Sequence, residues 1–164
     1  TLIKAVGAAN RRDPSRPVYG LLVGKGDRLF NRALARWSGA EDYLRFVGPA
    51  PAPGRYYGAA DVLALPTYHD PCANVTLEGL ACGLPAITTV RNGAHELLTH
   101  GTDGYVLDDP SNADQLADYL AECAGRGDLQ QASAAARELA LEHTVDRMYG
   151  ELEEVLLDAA DRPT

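Results

Sequence analysis

Leu2, Ile3, Val6 and Ala9 recur at helical spacing, and the run Asp13-Pro14-Ser15-Arg16-Pro17 that follows cannot continue a helix. Residues 18–23 form an apolar block of strand length that ends in Gly24-Lys25-Gly26-Asp27, where Asp27 is placed to cap a helix reaching Ser38. The alternation then repeats. Residues 43–47 read as a strand, Gly48-Pro49-Ala50-Pro51-Ala52-Pro53 as a stiff exposed loop, and residues 55–60 as a short helix whose Tyr56 and Tyr57 are expected to cover the sheet. Further strands are predicted at 62–65, from Pro85, and at 105–107, with Asp108-Asp109-Pro110-Ser111 capping a helix that carries Leu116 and Leu120. Residues 128–160 read as helical with a break at 143–146, and Met148, Leu152, Val155 and Leu156 form one apolar stripe, expected to be ordinary core.

Five short apolar blocks alternating with helices predict an α/β fold: a Rossmann-like three-layer αβα sandwich with a mainly parallel sheet and ligand loops at the strand carboxyl ends. The 164 residues suit one domain with a substantial core, and 46% hydrophobic with 23% charged residues is an ordinary globular composition. A formal charge of -8 argues against a nucleic-acid surface. Cys72, Cys82 and Cys123 lack paired metal-ligand spacing, so neither a zinc site nor a disulfide framework is expected, and a reducing cytosol fits best. No apolar run approaches the roughly 20 residues that span a bilayer, and no secretory signal is visible.

The chemistry concentrates in residues 65–89, where an apolar run, an acidic loop, a short helix, a Gly-Pro stop and a second apolar run make one βαβ unit. Asp70 lies in the loop and Glu78 about one turn inside the helix, so two carboxylates flank a helix N-terminus. Asn74 is expected to cap that terminus, and the remaining free N–H groups with the helix dipole favour an anion. Gly83 and Pro85 stop the helix after little more than two turns, over 75–82. The Gly24-x-Gly26 turn is either purely structural or faces a phosphate.

An acidic residue, seven intervening residues and a Glu, then Gly-Leu-Pro and Ile-Thr-Thr, resemble the donor-site motif of group-one retaining glycosyltransferases with the GT-B fold. The usual Glu followed by Gly-Phe-Gly is replaced here by Asp70-Pro71-Cys72-Ala73-Asn74, which resembles the branch that includes lipopolysaccharide-core and related cell-surface sugar transferases. The resemblance covers nearly the whole chain. It implies that residues 1–164 are the C-terminal, donor-binding half of a two-domain enzyme, a fragment whose acceptor domain is absent. Asp70 would then meet hydroxyls of the donor sugar and Glu78 those of the ribose, as the candidate catalytic pair. Backbone groups of Cys72, Ala73, Asn74 and Val75 would meet sugar and phosphates, and the Gly48-Pro49 loop the base, with Gly24 and Gly26 on the phosphate side.

Asn92-Gly93-Ala94-His95-Glu96 resembles the family's Gly-x-x-Glu segment, which turns Glu96 to the nucleotide sugar; the simpler reading of its position is a solvated carboxylate at a helix start. His69 is expected at the cleft edge without a catalytic role. The resemblance further implies a nucleoside-diphosphate sugar as donor, no metal and no cofactor, and a glycan or lipid-linked acceptor bound by the missing domain. It implies a cytoplasmic enzyme of cell-envelope polysaccharide synthesis, associated peripherally with the inner face of the membrane. A strand and a basic Arg/Lys segment usually precede the equivalent of Leu2-Ile3-Lys4, and Lys4 does not replace them. Two other readings use the same residues, a GT-B-like nucleotide-sugar epimerase and a non-catalytic nucleotide-sugar-binding module. Hydrolysis by opposed carboxylates does not fit, because one acid is assigned to the ribose end.

Overall fold

Small residues all round α1 (Leu2–Arg12) allow close packing: the consecutive Ala5, Val6, Gly7, Ala8 and Ala9 are all buried, and the helix lies against α5 (Ala113–Gly125). Asn10, also buried, donates to Val18 O at 2.8 Å and accepts from Val18 N at 2.8 Å, fastening the end of α1 to the approach of β1 (Gly20–Val23). The computed structural model describes residues 1–125 and 129–161. α2 (Arg28–Trp37) starts as predicted, with Asp27 Oδ1 accepting from Leu29 N and Phe30 N, both at 2.9 Å. β2 (Leu44–Gly48), α3 (Gly54–Tyr57), β3 (Leu63–Ala64), α4 (Asn74–Ala81), β4 (Ala86–Thr89) and β5 (Gly104–Leu107) follow.

Every strand pairing is parallel among the described residues. β4 is buried on both faces. Ile87 joins one core with Val6, Leu107, Leu116 and Leu120, while its neighbour Ala86 joins a second core with Leu80 and Ala136. Alternate residues of one strand thus serve helices on opposite sides, which is the three-layer α/β arrangement that the sequence predicts. α6 (Gln130–Glu142) covers α4.

Where one sheet is expected, the pairing divides into β1-β2 and β3-β4-β5. β1 and β3 line the two sides of a slot-like cavity of about 1400 Å³, with Leu22 and Val23 on one side and Leu63 and Leu65 on the other. Leu63 N and Leu65 N bond to β4-side carbonyls of Pro85 and Ile87 at 3.0 and 2.8 Å, so Ala64 between them turns its own peptide groups toward the slot. The sheet is interrupted where both halves still present an edge.

Two helix details differ from expectation. Asn112 Oδ1, not the acids before it, caps α5 by accepting from Gln115 N at 3.0 Å. The Met148, Leu152, Val155 and Leu156 stripe lies on α7 (Val145–Asp161) and is exposed rather than core, because no other described element packs along that helix. Asp128, the predicted start of the C-terminal helical region, lies outside the described residues. Gly83 ends α4 at φ 78°, the left-handed turn that the sequence predicts.

Candidate functional site

The N-terminus of α4 is held from outside the helix. Ala73 occupies the cap position without a side-chain bond, and Asn74 is the first helical residue, exposed, so it does not cap as predicted. The amide of Asn92 acts instead. Its Oδ1 accepts from Ala73 N at 3.0 Å and Ala94 N at 3.2 Å, and its Nδ2 donates to Thr76 Oγ1 at 3.0 Å and Thr88 Oγ1 at 2.9 Å. Asn92 is fully buried, and these four bonds use the whole hydrogen-bonding capacity of its amide. Thr76 N is taken by Ala73 O at 2.8 Å, which leaves the N–H groups of Asn74 and Val75 as first-turn donors without a partner among the described residues.

Asp70 is clamped by its backbone alone. Its N–H donates to Arg91 O at 2.9 Å and its carbonyl accepts from Gly93 N at 3.0 Å. Gly93 is required by proximity, since a Cβ there would stand 1.8 Å from Pro71 O. The half-buried Asp70 carboxylate accepts no hydrogen bond among the described residues, so a fixed main chain presents an uncommitted acid. The Asn92-Gly93 pair therefore positions both Asp70 and the α4 terminus. Sequence reasoning used this segment only for Glu96, which stands exposed on the 3₁₀ turn Gly93–Leu97.

Glu78 is exposed on α4, and Tyr57 OH donates to its Oε2 at 2.7 Å. Tyr57 does not merely cover the sheet, as predicted; it reaches the site. Burial, then the bond to the Glu78 carboxylate, raise the phenol's pKa above its ordinary value, so the proton stays on Tyr57 and Glu78 stays the acceptor.

Gly24, Gly26, Gly48, Val75 and Glu78 line the slot-like cavity together, and Gly24 N donates to Gly48 O at 2.9 Å, tying the loops after β1 and β2. Asp70, Cys72, Ala73, Asn74, Pro49 and Glu96 lie outside that lining, as does the exposed His69. Lys25 and Arg28, neither singled out in the sequence, line the cavity and supply positive charge beside the glycine turns. The signal for Lys25 was its place inside Gly24-x-Gly26; that for Arg28 exists only in three dimensions. Among the described residues no group of three His, Cys, Asp or Glu side chains is arranged to hold a metal ion. The cavity lining brings Glu78 and Val75 of α4 together with Lys25 and Arg28 at strand carboxyl ends, a grouping suited to a polyhydroxylated anion, whereas Asp70 and Asn74 stand outside it.

The family model of group 1 glycosyl transferases matches residues 1–126, and the chain belongs to that family. Its fold is that of the GT-B glycosyltransferases. A D-inositol 3-phosphate glycosyltransferase of Kribbella flavida is 38% identical over 94 residues, which is 56% of this chain and 22% of that protein. Among solved structures, HepE of Anabaena in complex with UDP superposes with a TM-score of 0.80 at 22% identity, covering 94% of this chain and 44% of that one. WaaG, a glycosyltransferase involved in lipopolysaccharide biosynthesis, superposes with a TM-score of 0.73 at 26% identity, covering 84% of this chain and 37% of that one. The chain thus spans less than half the length of each of these relatives.

Proposed function

We propose that this chain is the donor-binding domain of a retaining glycosyltransferase that moves a sugar from a nucleoside-diphosphate sugar to a glycan or lipid-linked acceptor. The observation that carries the reading is the α4 N-terminus, where Asn74 N and Val75 N have no partner among the described residues, between Asp70 in the preceding loop and Glu78 on the helix. Glu78 takes the ribose hydroxyls and Asp70 those of the sugar. The free N–H groups take the diphosphate, with Lys25 and Arg28 lining the same cavity as Val75 and Glu78. Glu96 and the backbone at Gly48 and Pro49 complete the sugar and base ends. An ionised carboxylate accepts two hydroxyl donors, so the residue type matches a diol at each end.

In the retaining reaction the bond from the anomeric carbon to the diphosphate oxygen breaks while the acceptor oxygen attacks from the same face. The departing diphosphate takes the acceptor's proton, without metal or other cofactor. Charge accumulating on the leaving oxygens is what the helix terminus and the cations would stabilise. The intact enzyme works on the cytoplasmic side, peripherally associated with a membrane, in the synthesis of cell-envelope polysaccharide. Residues 1–164 tested by themselves should bind donor without transferring it, because the proposed acceptor site lies outside them.

Titration with UDP, GDP and ADP and their sugars, with and without magnesium, tests the proposal. UDP is the first to try because a structural neighbour holds it. Metal-independent binding of a nucleotide sugar is expected. Strict magnesium dependence, or no affinity for any of the three series, would sink it. Glu78→Ala should weaken the nucleotide itself by roughly tenfold or more, whereas Asp70→Ala should leave the nucleoside diphosphate nearly unchanged and weaken its sugar adduct. Equal losses in both variants for both ligands would contradict the assigned roles.

A further inference from the structure

We propose that the outer face of α2 is a membrane-docking surface that lays this domain against an anionic bilayer. A helix covering a sheet ordinarily turns its large apolar side chains inward; α2 turns them out. Ala35 is its one buried residue and Asn31 and Leu34 are half-buried, whereas Leu29, Phe30 and Trp37 are 84%, 63% and 77% exposed. Leu29, Ala33 and Trp37 stand four residues apart and form one stripe along the outside, with Phe30 beside it.

The adjoining stripe is basic. Arg28, Arg32 and Arg36 are also spaced by four, and no acidic residue interrupts the helix. Lys4 Nζ adds a cation 5.7 Å from the Trp37 ring centroid. Arg36 shares Glu41 at 3.1 Å in an exposed pair, and Arg32 has no carboxylate partner among the described residues. Arg28 borders the cavity and reaches Phe46 O at 3.3 Å, but Leu29, Phe30 and Trp37 are not part of the cavity lining. Neither a ligand at the site nor a strand in the slot would cover them.

An apolar stripe of Leu, Phe and Trp beside a row of arginines, on the exposed side of one helix, is the pattern of an interfacial helix. Headgroup phosphates meet Arg32 and Arg36 while Leu29, Phe30 and Trp37 enter the acyl boundary. The net charge of -8 does not prevent this, because acids elsewhere are screened beyond a Debye length of about 8 Å and the local face sets the attraction. The proposal deepens the peripheral association stated above and rests on that part of the reading alone; the donor site can fail or hold separately.

Trp37 is the single tryptophan of the chain, so its emission reports on the proposed contact itself. With vesicles of phosphatidylcholine mixed with phosphatidylglycerol, the emission should shift to the blue and the chain should co-sediment, roughly tenfold or more strongly than with phosphatidylcholine alone. Added salt should reverse the effect. Arg32→Gln with Arg36→Gln should abolish the preference for the anionic vesicles. Leu29→Ser with Phe30→Ser should abolish the shift in both, with the far-ultraviolet dichroism of each variant unchanged because these side chains are exposed. An emission unaltered by anionic vesicles, or vesicle binding undiminished in Leu29→Ser with Phe30→Ser, overturns the proposal. A blue shift that follows protein concentration without lipid overturns it in favour of a second copy. UDP binding measured on the same samples keeps this outcome distinct from that of the donor reading.

Discussion

Tyr57 and Glu78 are 21 residues apart in sequence and 2.7 Å apart at the site, and their bond decides how the acid can be used. The phenol occupies one lone pair of Oε2 and leaves Oε1 without a partner among the described residues. Orientation lost from Glu78 should appear as lost recognition of the ribose. Tyr57→Phe is therefore expected to weaken UDP by roughly threefold to tenfold, a modest loss because the pair is partly exposed. It should also shrink the preference for UDP over 2′-deoxy-UDP. A variant that lost affinity for both nucleotides equally would show that Tyr57 only supports the loop. A wild-type chain without any preference would instead remove Glu78 from the ribose.

At the scale of elements, α4 depends on a side chain it does not contain. Removing the Asn92 amide strands the buried N–H groups of Ala73 and Ala94 and releases Thr76 and Thr88. Asn92→Ala is expected to cost about 2 to 4 kcal/mol of stability in chemical denaturation, and nucleotide affinity should fall in the remaining folded protein. Asn92→Asp keeps the acceptor and loses the donor, so it should fall between the two; a loss below about 0.5 kcal/mol for Asn92→Ala would show that another group caps the helix. The sequence could not announce this network. The strands, the Asp27 cap, the Gly83 stop and the Asp70 to Glu78 spacing are local patterns, and each is found where periodicity or turn chemistry puts it. The bonds by which Asn92 holds Ala73 and Thr76, and Tyr57 holds Glu78, reach 16 to 21 residues along the chain, a distance at which no local spacing exists. The α7 stripe shows the opposite error. Amphipathic spacing reports that an apolar face exists, not that anything described here covers it.

For the whole molecule the interrupted sheet is the dominant feature. Leu21 and Val23 of β1 are exposed beside the slot, and Ala64 presents unpaired peptide groups from its far side. Thr1 Oγ1 donates to Pro110 O at 2.6 Å, just beyond the carboxyl end of β5, so α1 begins at the edge of the sheet where parallel strands finish. A strand running between β1 and β3, parallel to its neighbours, would deliver the chain at that edge and make α1 the crossover to β1. The upstream strand and basic segment implied by the family resemblance fit this place. A longer polypeptide that supplies them should unfold at higher temperature and protect the Ala64 amide from hydrogen exchange. If that segment also brings cations to the α4 terminus, it should tighten a nucleoside diphosphate far more than the nucleoside, because each charge-assisted contact contributes roughly 1.5 to 3 kcal/mol. Calorimetry of UDP and uridine with the two lengths of chain separates the effects. A proportional gain for both ligands would mean that the added residues only rigidify the sheet. No gain in melting temperature or in Ala64 protection would mean that the slot is not where they lie.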